Sequence, residues 1–183
     1  MERAQLDPDA LGVVAPALAE RDDAVPPATP GGQLMPVLVL GIGSLIRTDD
    51  AVGRLVADRL AEHPPAGVEV DSVHQLTPEF APRLAGRDLV VFVDAAVDPD
   101  VDPAVAAAEV TVVELAIDGS GRLLSHHLGP AGLLTLAAQL GWAPARAAAI
   151  HIPVTDLALG TEISAEAAGR VEEAFAMLLR LVS

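Results

Sequence analysis

The chain has 183 residues, of which 51% are apolar, and this is enough for one domain that buries its own core. Its 11 basic and 26 acidic residues give a formal net charge of -15, which argues against nucleic acid and anionic membrane surfaces as partners. The absence of cysteine excludes a thiol nucleophile, a thiolate zinc site and disulfides, and favours a reducing cytoplasm. No apolar run approaches the ~20 residues that span a bilayer, and the N-terminus lacks the pattern of a signal peptide. We therefore expect a soluble cytoplasmic protein.

The first 34 residues have the composition of a flexible leader. They are rich in Ala, Pro, Asp and Gly, and their prolines interrupt helix and sheet hydrogen bonding. We expect a leader over 1–34 and one α/β domain over 35–183. Met35 directly precedes the first predicted strand and is a candidate for the true translation start, so a chain that begins there should be as soluble and active as the full one.

Strand and helix patterns alternate through the rest of the chain. Strands are predicted over 37–40, 68–73, 88–95, 110–116 and 147–154. Helices are predicted over 50–62, 78–84, 130–140 and 164–181, the last with Ser164 as its cap. Residues 97–108 are rich in Pro and Asp at their start and predict a loop that projects from the sheet. The alternation predicts an α/β fold, a three-layer αβα sandwich with a mostly parallel, twisted sheet of about five strands.

The stretch 36–60 combines a strand, a glycine turn, an acid pair and a helix. It is not a dinucleotide fingerprint, because Gly53 lies ten residues after Gly43 instead of three, and acids stand where a pyrophosphate would bind. Asp49 and Asp50 precede the predicted helix and could cap it. They could equally belong to a functional site, and the sequence leaves both interpretations open.

Three groups with useful chemistry are predicted at the carboxyl edge of the sheet, where ligands bind in open α/β folds. Asp50 follows the first predicted strand, Asp94 ends the third, and His126 or His127 lies between the fourth strand and the next helix. Two carboxylates and an imidazole from separate segments suit a divalent metal or acid–base chemistry. We therefore predict a site at this edge.

Each of these groups also has a structural interpretation. Burial of an unpaired carboxylate costs several kcal/mol, roughly, which favours a function for Asp94, although such an acid can also tie down a loop. His126 and His127 could be surface or structural residues. His74 and His151 are weaker candidates, and His151 is most simply a strand residue.

Four segments, in order, resemble the hydrogenase maturation proteases, which remove a C-terminal extension from the large subunit of nickel-iron hydrogenases. GIGSLIRTDDAVG is similar to the N-terminal signature of that family, whose usual form is close to GxGNxLxxDDGxG. VVFVDAAVDP resembles its strand ending in Asp, and SHHLGPAGLLTLA resembles its histidine segment. IHIPVTDLALGTEISAEAAGRVEEA resembles its C-terminal pattern, so the likeness runs from about residue 37 to the end of the chain.

The resemblance implies a role for each candidate residue. The metal-recognising acid of the family falls on Asp50, its second acid on Asp94 and its histidine on His126, with His127 as the alternate. These three groups would carry both the catalytic and the metal-contacting roles of an aspartic-type endopeptidase. The implied metal is nickel carried by the substrate, with no cofactor of the protein's own. The implied partner is the hydrogenase large-subunit precursor, docked transiently by a monomer.

The sequence departs from the family pattern at three places. Ser44 stands where Asn is usual, Ala51 replaces a common Gly, and His74 follows the second strand in place of an Asp-Gly-Gly turn. These departures leave an alternative open, a non-catalytic nickel-protein binding module or chaperone that uses the same cleft. Under either function, Gly41 and Gly43 are expected to leave room for a substrate chain beside the backbone.

Overall fold

The computed structural model describes residues 36–96, 109–119 and 128–183. The strands are β1 (Val37–Ile42), β2 (Val68–Val73), β3 (Leu89–Ala96), β4 (Thr111–Glu114) and β5 (Arg146–Pro153). The helices are α1 (Val52–Glu62), α2 (Pro130–Gln139) and α3 (Ala165–Val182), with short 3₁₀ helices at Thr48–Ala51 and Pro78–Leu84.

The five strands form one sheet in the order β2-β1-β3-β5-β4. The pairs β1–β2, β1–β3 and β3–β5 are parallel, and β4 pairs antiparallel with β5 at one edge. The predicted five-stranded, mostly parallel sheet is confirmed. The carboxyl ends of β1, β2, β3 and β5 meet at one edge, where α/β folds place their ligand sites.

Helices cover both faces of the sheet. On one face, Val56 of α1 and Leu178 of α3 pack with Val91 of β3 in one apolar cluster. On the other face, Leu134 of α2 packs with Phe92 of β3 and with the second 3₁₀ helix. All five of these side chains are fully buried. The predicted three-layer αβα sandwich is confirmed, and β3 is apolar because it is covered on both sides.

The predicted element boundaries hold to within one residue except in three elements. Strand β1 ends at Ile42 instead of residue 40. Helix α1 begins at Val52 instead of Asp50, because the chain first makes the 3₁₀ turn Thr48–Ala51. Strand β4 is four residues long, where seven were predicted. The Ser164 cap is confirmed, since its Oγ accepts the N–H of Ala167 at 3.1 Å. The predicted leader over 1–34 and the loop over 97–108 lie outside the described residues. In the part of the chain that is described, no helix is long and apolar enough to cross a membrane.

Glycines let the start of α1 lie directly on the sheet. A Cβ on Gly53 would lie closer than 3.0 Å to the carbonyl oxygens of Val93 in β3 and of Ile42 at the end of β1. A Cβ on Gly41 would collide with the carbonyl oxygen of Gly53 in the same way. The first turn of α1 therefore contacts both strands through backbone atoms, and this fixes the loop before it.

Gly43 is required both by its own backbone conformation and by the close approach of another backbone segment. Its φ of +144° is one that side chains rarely adopt, and a Cβ there would overlap the carbonyl oxygen of Asp50. The expectation that Gly41 and Gly43 leave room for a substrate chain is wrong, because the protein's own atoms occupy that space. These glycines position the acid pair.

Replacement of Gly53 with alanine is expected to lower the free energy of unfolding by about 2 kcal/mol, because the added methyl group forces α1 away from β1 and β3. Gly169, on the exposed side of α3, is the matched control, since a Cβ there meets no atom within 4 Å. Gly169→Ala should raise stability by about 0.5–1 kcal/mol. Urea unfolding measures the free energy of unfolding of both variants. If Gly53→Ala were as stable as Gly169→Ala, the proposed packing of α1 on the sheet would be contradicted.

Candidate active site

Two carboxylates meet at the carboxyl edge of the sheet. Asp94 lies near the carboxyl end of β3, and Asp50 lies in the 3₁₀ helix that follows β1. The two are near enough for the charge of Asp50 to raise the pKa of Asp94. The structure therefore brings together two of the predicted site residues, from segments more than 40 residues apart.

Asp50 is held by the backbone of the glycine turn. The N–H of Ser44 donates to its Oδ2 at 2.8 Å, and Ser44 itself is buried. The contact comes from the main chain, so it does not depend on which side chain stands at position 44. The Ser at position 44 therefore leaves the support of Asp50 intact.

Asp94 is partly buried, and this changes its acidity. Burial is the main cause that raises its pKa to about 6, the charge of Asp50 raises it further, and the N–H of Ala95 opposes both by donating to the carboxylate. At neutral pH the side chain is largely ionised, yet its pKa lies close to the ambient value. Such a group suits contact with a cation or exchange of a proton.

Asp49 has a structural role that is distinct from that of its neighbour. It is buried, and its carboxylate accepts the N–H of Ser164 at 2.7 Å and the Oγ–H of the same residue at 2.9 Å. Ser164 in turn caps α3. Neither the 3₁₀ helix nor α1 has a side-chain cap, so the interpretation of Asp49 and Asp50 as caps of the following helix is wrong. Asp49 instead anchors the start of α3 to the site.

A second connection joins the same two regions of the chain. Arg47 and Gly160 form an isolated parallel bridge, in which the N–H of Thr48 donates to Gly160 O at 3.0 Å and the N–H of Gly160 donates to Ile46 O at 3.1 Å. The Thr48 hydroxyl donates to the carbonyl oxygen of Asp156 at 2.9 Å. Thr48 has a φ of 30°, an uncommon conformation for a side-chain-bearing residue, and these bonds hold it there.

The predicted histidines His126 and His127 lie outside the described residues. The prediction places them at the site because they follow the fourth strand, whose carboxyl end is expected at the same edge as that of β3. That expectation about the strand is wrong. Because β4 is antiparallel, its last residue, Glu114, pairs with Ala148 near the start of β5. The carboxyl end of β4 therefore lies at the edge of the sheet opposite to Asp94.

His151 is a strand residue, as predicted, but its position is informative. It is the register partner of Asp94 on the neighbouring parallel strand, so the two side chains leave the same face of the sheet. Sequence reasoning missed this proximity because register between strands is not encoded locally. His74 follows β2 at the same edge and is exposed. Among the described residues, no group of three or more His, Asp or Glu is arranged to hold a metal ion.

Known structures share this fold. The hydrogenase maturating endopeptidase HybD from E. coli superposes with a TM-score of 0.67 and 22% identity, over 80% of this chain and 91% of that one. The hydrogenase 2 maturation peptidase from a Thaumarchaeota archaeon gives 0.58 and 24%, over 80% and 97%. The maturation protease HycI from Thermococcus kodakarensis gives 0.59 and 22%, over 81% and 92%. No protein-family model and no curated protein sequence matches the chain. The chain therefore has the fold of the hydrogenase maturation endopeptidases.

Proposed function

We propose that the protein is an endopeptidase that removes the C-terminal extension from a nickel-loaded large-subunit precursor of a nickel-iron hydrogenase. The observation that carries this proposal is the convergence of Asp50 and Asp94 at the carboxyl edge of the sheet. It is supported by the likeness in fold to structures named hydrogenase maturation endopeptidases. The cytoplasm is the expected compartment, and a monomer is the expected state.

Recognition of nickel is the first role proposed for the two carboxylates. Carboxylate oxygens and imidazole nitrogen are acceptable nickel ligands, and a substrate-bound ion with open positions could complete its coordination with them. His126 is proposed as the imidazole, with His127 as the alternate. The nickel belongs to the substrate, so the protein needs no metal of its own.

Cleavage of the peptide bond can follow two routes from this arrangement. In one, the substrate's nickel positions or polarises the scissile region. In the other, which corresponds to the aspartic-type assignment, a carboxylate activates water as a general base and nickel serves only for recognition. The pKa of Asp94, raised to about 6, suits a general base near neutral pH.

The proposal is tested with the full chain and a hydrogenase large-subunit precursor, prepared with and without nickel. We expect the nickel-loaded precursor to lose its tail, seen as a mobility shift and a mass difference that matches one cleavage. The nickel-free precursor should stay intact. Absence of cleavage for both forms would overturn the proposal.

A non-catalytic chaperone is the second candidate. It was favoured by the Ser at position 44, but the backbone N–H of Ser44 still holds Asp50. The same assay separates the two functions, because a chaperone would form a complex with the precursor without shortening it.

A further inference from the structure

Three aliphatic side chains are exposed beside the carboxylate pair. Leu45, Ile46 and Leu159 are 44%, 63% and 84% exposed. They lie in the two loops that the Arg47–Gly160 bridge joins. We refer to these three residues as the rim patch. Since each exposed aliphatic side chain loses favourable burial, a cluster at one place marks a contact surface.

The rim patch is held on a fixed backbone. Ile46 and Leu159 each directly precede a bridge partner, and the N–H of Gly160 donates to Ile46 O at 3.1 Å, so the bridge holds the two loops together at this point. The guanidinium Nε of Arg47 donates to Leu157 O at 3.3 Å, which adds a side-chain bond to the backbone bridge. Because the surface is already ordered, an incoming chain would meet a low entropic cost.

The rim patch is continuous with the proposed active site. Leu45 directly follows Ser44, whose N–H holds the carboxylate of Asp50. One extended peptide, at ~3.3 Å per residue, can reach from the carboxylates to the patch with only a few residues.

The charges around the patch restrict the occupant. The two loops carry one arginine, Arg47, against the exposed acids Asp156 and Glu162 and the nearby Asp50. The whole chain carries a net charge of -15. An acidic segment would be repelled, so the occupant should be aliphatic and neutral or basic.

We propose that the rim patch binds an aliphatic side chain of the precursor, in an extended segment next to the scissile bond. This inference rests on the proposed function and names the part of the substrate that the site selects. It makes the patch a determinant of substrate affinity that takes no part in the chemical step.

The test compares Ile46→Ser and Leu159→Ser with Leu140→Ser. Leu140 is the matched control, because it is 49% exposed at the C-terminal end of α2. In cleavage of the nickel-loaded precursor, each patch variant should raise KM roughly tenfold and leave kcat nearly unchanged, since the patch contacts bound substrate and transition state equally. Leu140→Ser should behave as the wild type. Thermal unfolding should be unchanged in all three variants, because their side chains face solvent.

The outcomes separate this inference from the function on which it rests. If the wild type cleaves and the patch variants keep its KM, the patch inference alone is overturned. If the wild type cleaves neither form of the precursor, both are overturned. The rival occupant of the patch is a second copy of the chain, and light scattering tests for it. A wild-type dimer that Leu159→Ser converts to a monomer would assign the patch to self-association and overturn the inference.

Discussion

Replacement of Asp94 with asparagine is expected to stop tail removal, by about 100-fold or more, and to make the protein more stable at pH 7.5. Under the proposed function, activity is lost because an amide neither presents a full negative charge to a metal ion on the substrate nor accepts a proton as a carboxylate does. The gain in stability follows because the ionised carboxylate is partly buried beside the charge of Asp50. An asparagine Oδ1 can still accept the N–H of Ala95, so the end of β3 keeps its hydrogen bond.

The sign of the stability effect comes from the raised pKa. Folding raises the pKa of Asp94 from 3.8 to about 6, so the folded state holds this proton more tightly than the unfolded state. The stability that comes from this tighter proton binding is fully present below pH 3.8, and it is lost as the pH rises through about 6. At pH 7.5 the wild type bears the full cost of ionisation, and Asp94→Asn avoids it. The expected gain is about 1–3 kcal/mol, and it should shrink as the pH falls below about 6.

Urea unfolding at pH 7.5 and pH 5.5 measures this difference, and both values lie above the sequence pI of 4.4. Asp50→Asn is the companion variant, because it removes the partner charge and should also stop tail removal with the fold intact. A less stable Asp94→Asn would show that the carboxylate ties down a loop. Normal processing by either variant would count against the proposed site.

Much of the fold was predictable because its signals are local. The apolar run of β3 marks a strand covered on both faces, and the Ser164 cap needs only the residues within one helical turn. The position of Asp94 near the carboxyl end of β3 was predictable for the same reason, since a carboxylate that closes an apolar run stands out in the sequence itself.

The rest depends on contacts between distant segments. The bond from Ser164 to Asp49 spans 115 residues, and no spacing rule predicts it. The register of Asp94 with His151 and the reversed direction of β4 are likewise set by strand pairing, which the apolar pattern does not determine. Asp49 and Asp50 look equivalent in the sequence, yet Asp49 binds the start of α3 and Asp50 lies close to Asp94.

The different contacts of Asp49 and Asp50 lead to the second prediction, which concerns stability. Asp49→Ala is expected to lower the free energy of unfolding by about 3 kcal/mol, because it removes two hydrogen bonds to a charged acceptor and leaves the N–H and the hydroxyl of Ser164 without their partner. The start of α3 would lose its attachment to the loop that carries Asp50, so activity should fall as a consequence of lost structure.

Asp50→Ala is the control, one residue away. It removes a single bond from the N–H of Ser44 and also removes the charge that raises the pKa of Asp94, so stability should change by less than about 1 kcal/mol. Urea unfolding and hydrogen exchange of the first turn of α3 measure both variants. Faster exchange there in Asp49→Ala alone is expected. Equal exchange in the two variants would contradict the anchoring role, since Asp49 accepts the bonds from Ser164 whereas Asp50 accepts from Ser44. Asp49 thus fixes the position of α3 against this loop, and Asp50 is left for the role proposed for it toward the substrate.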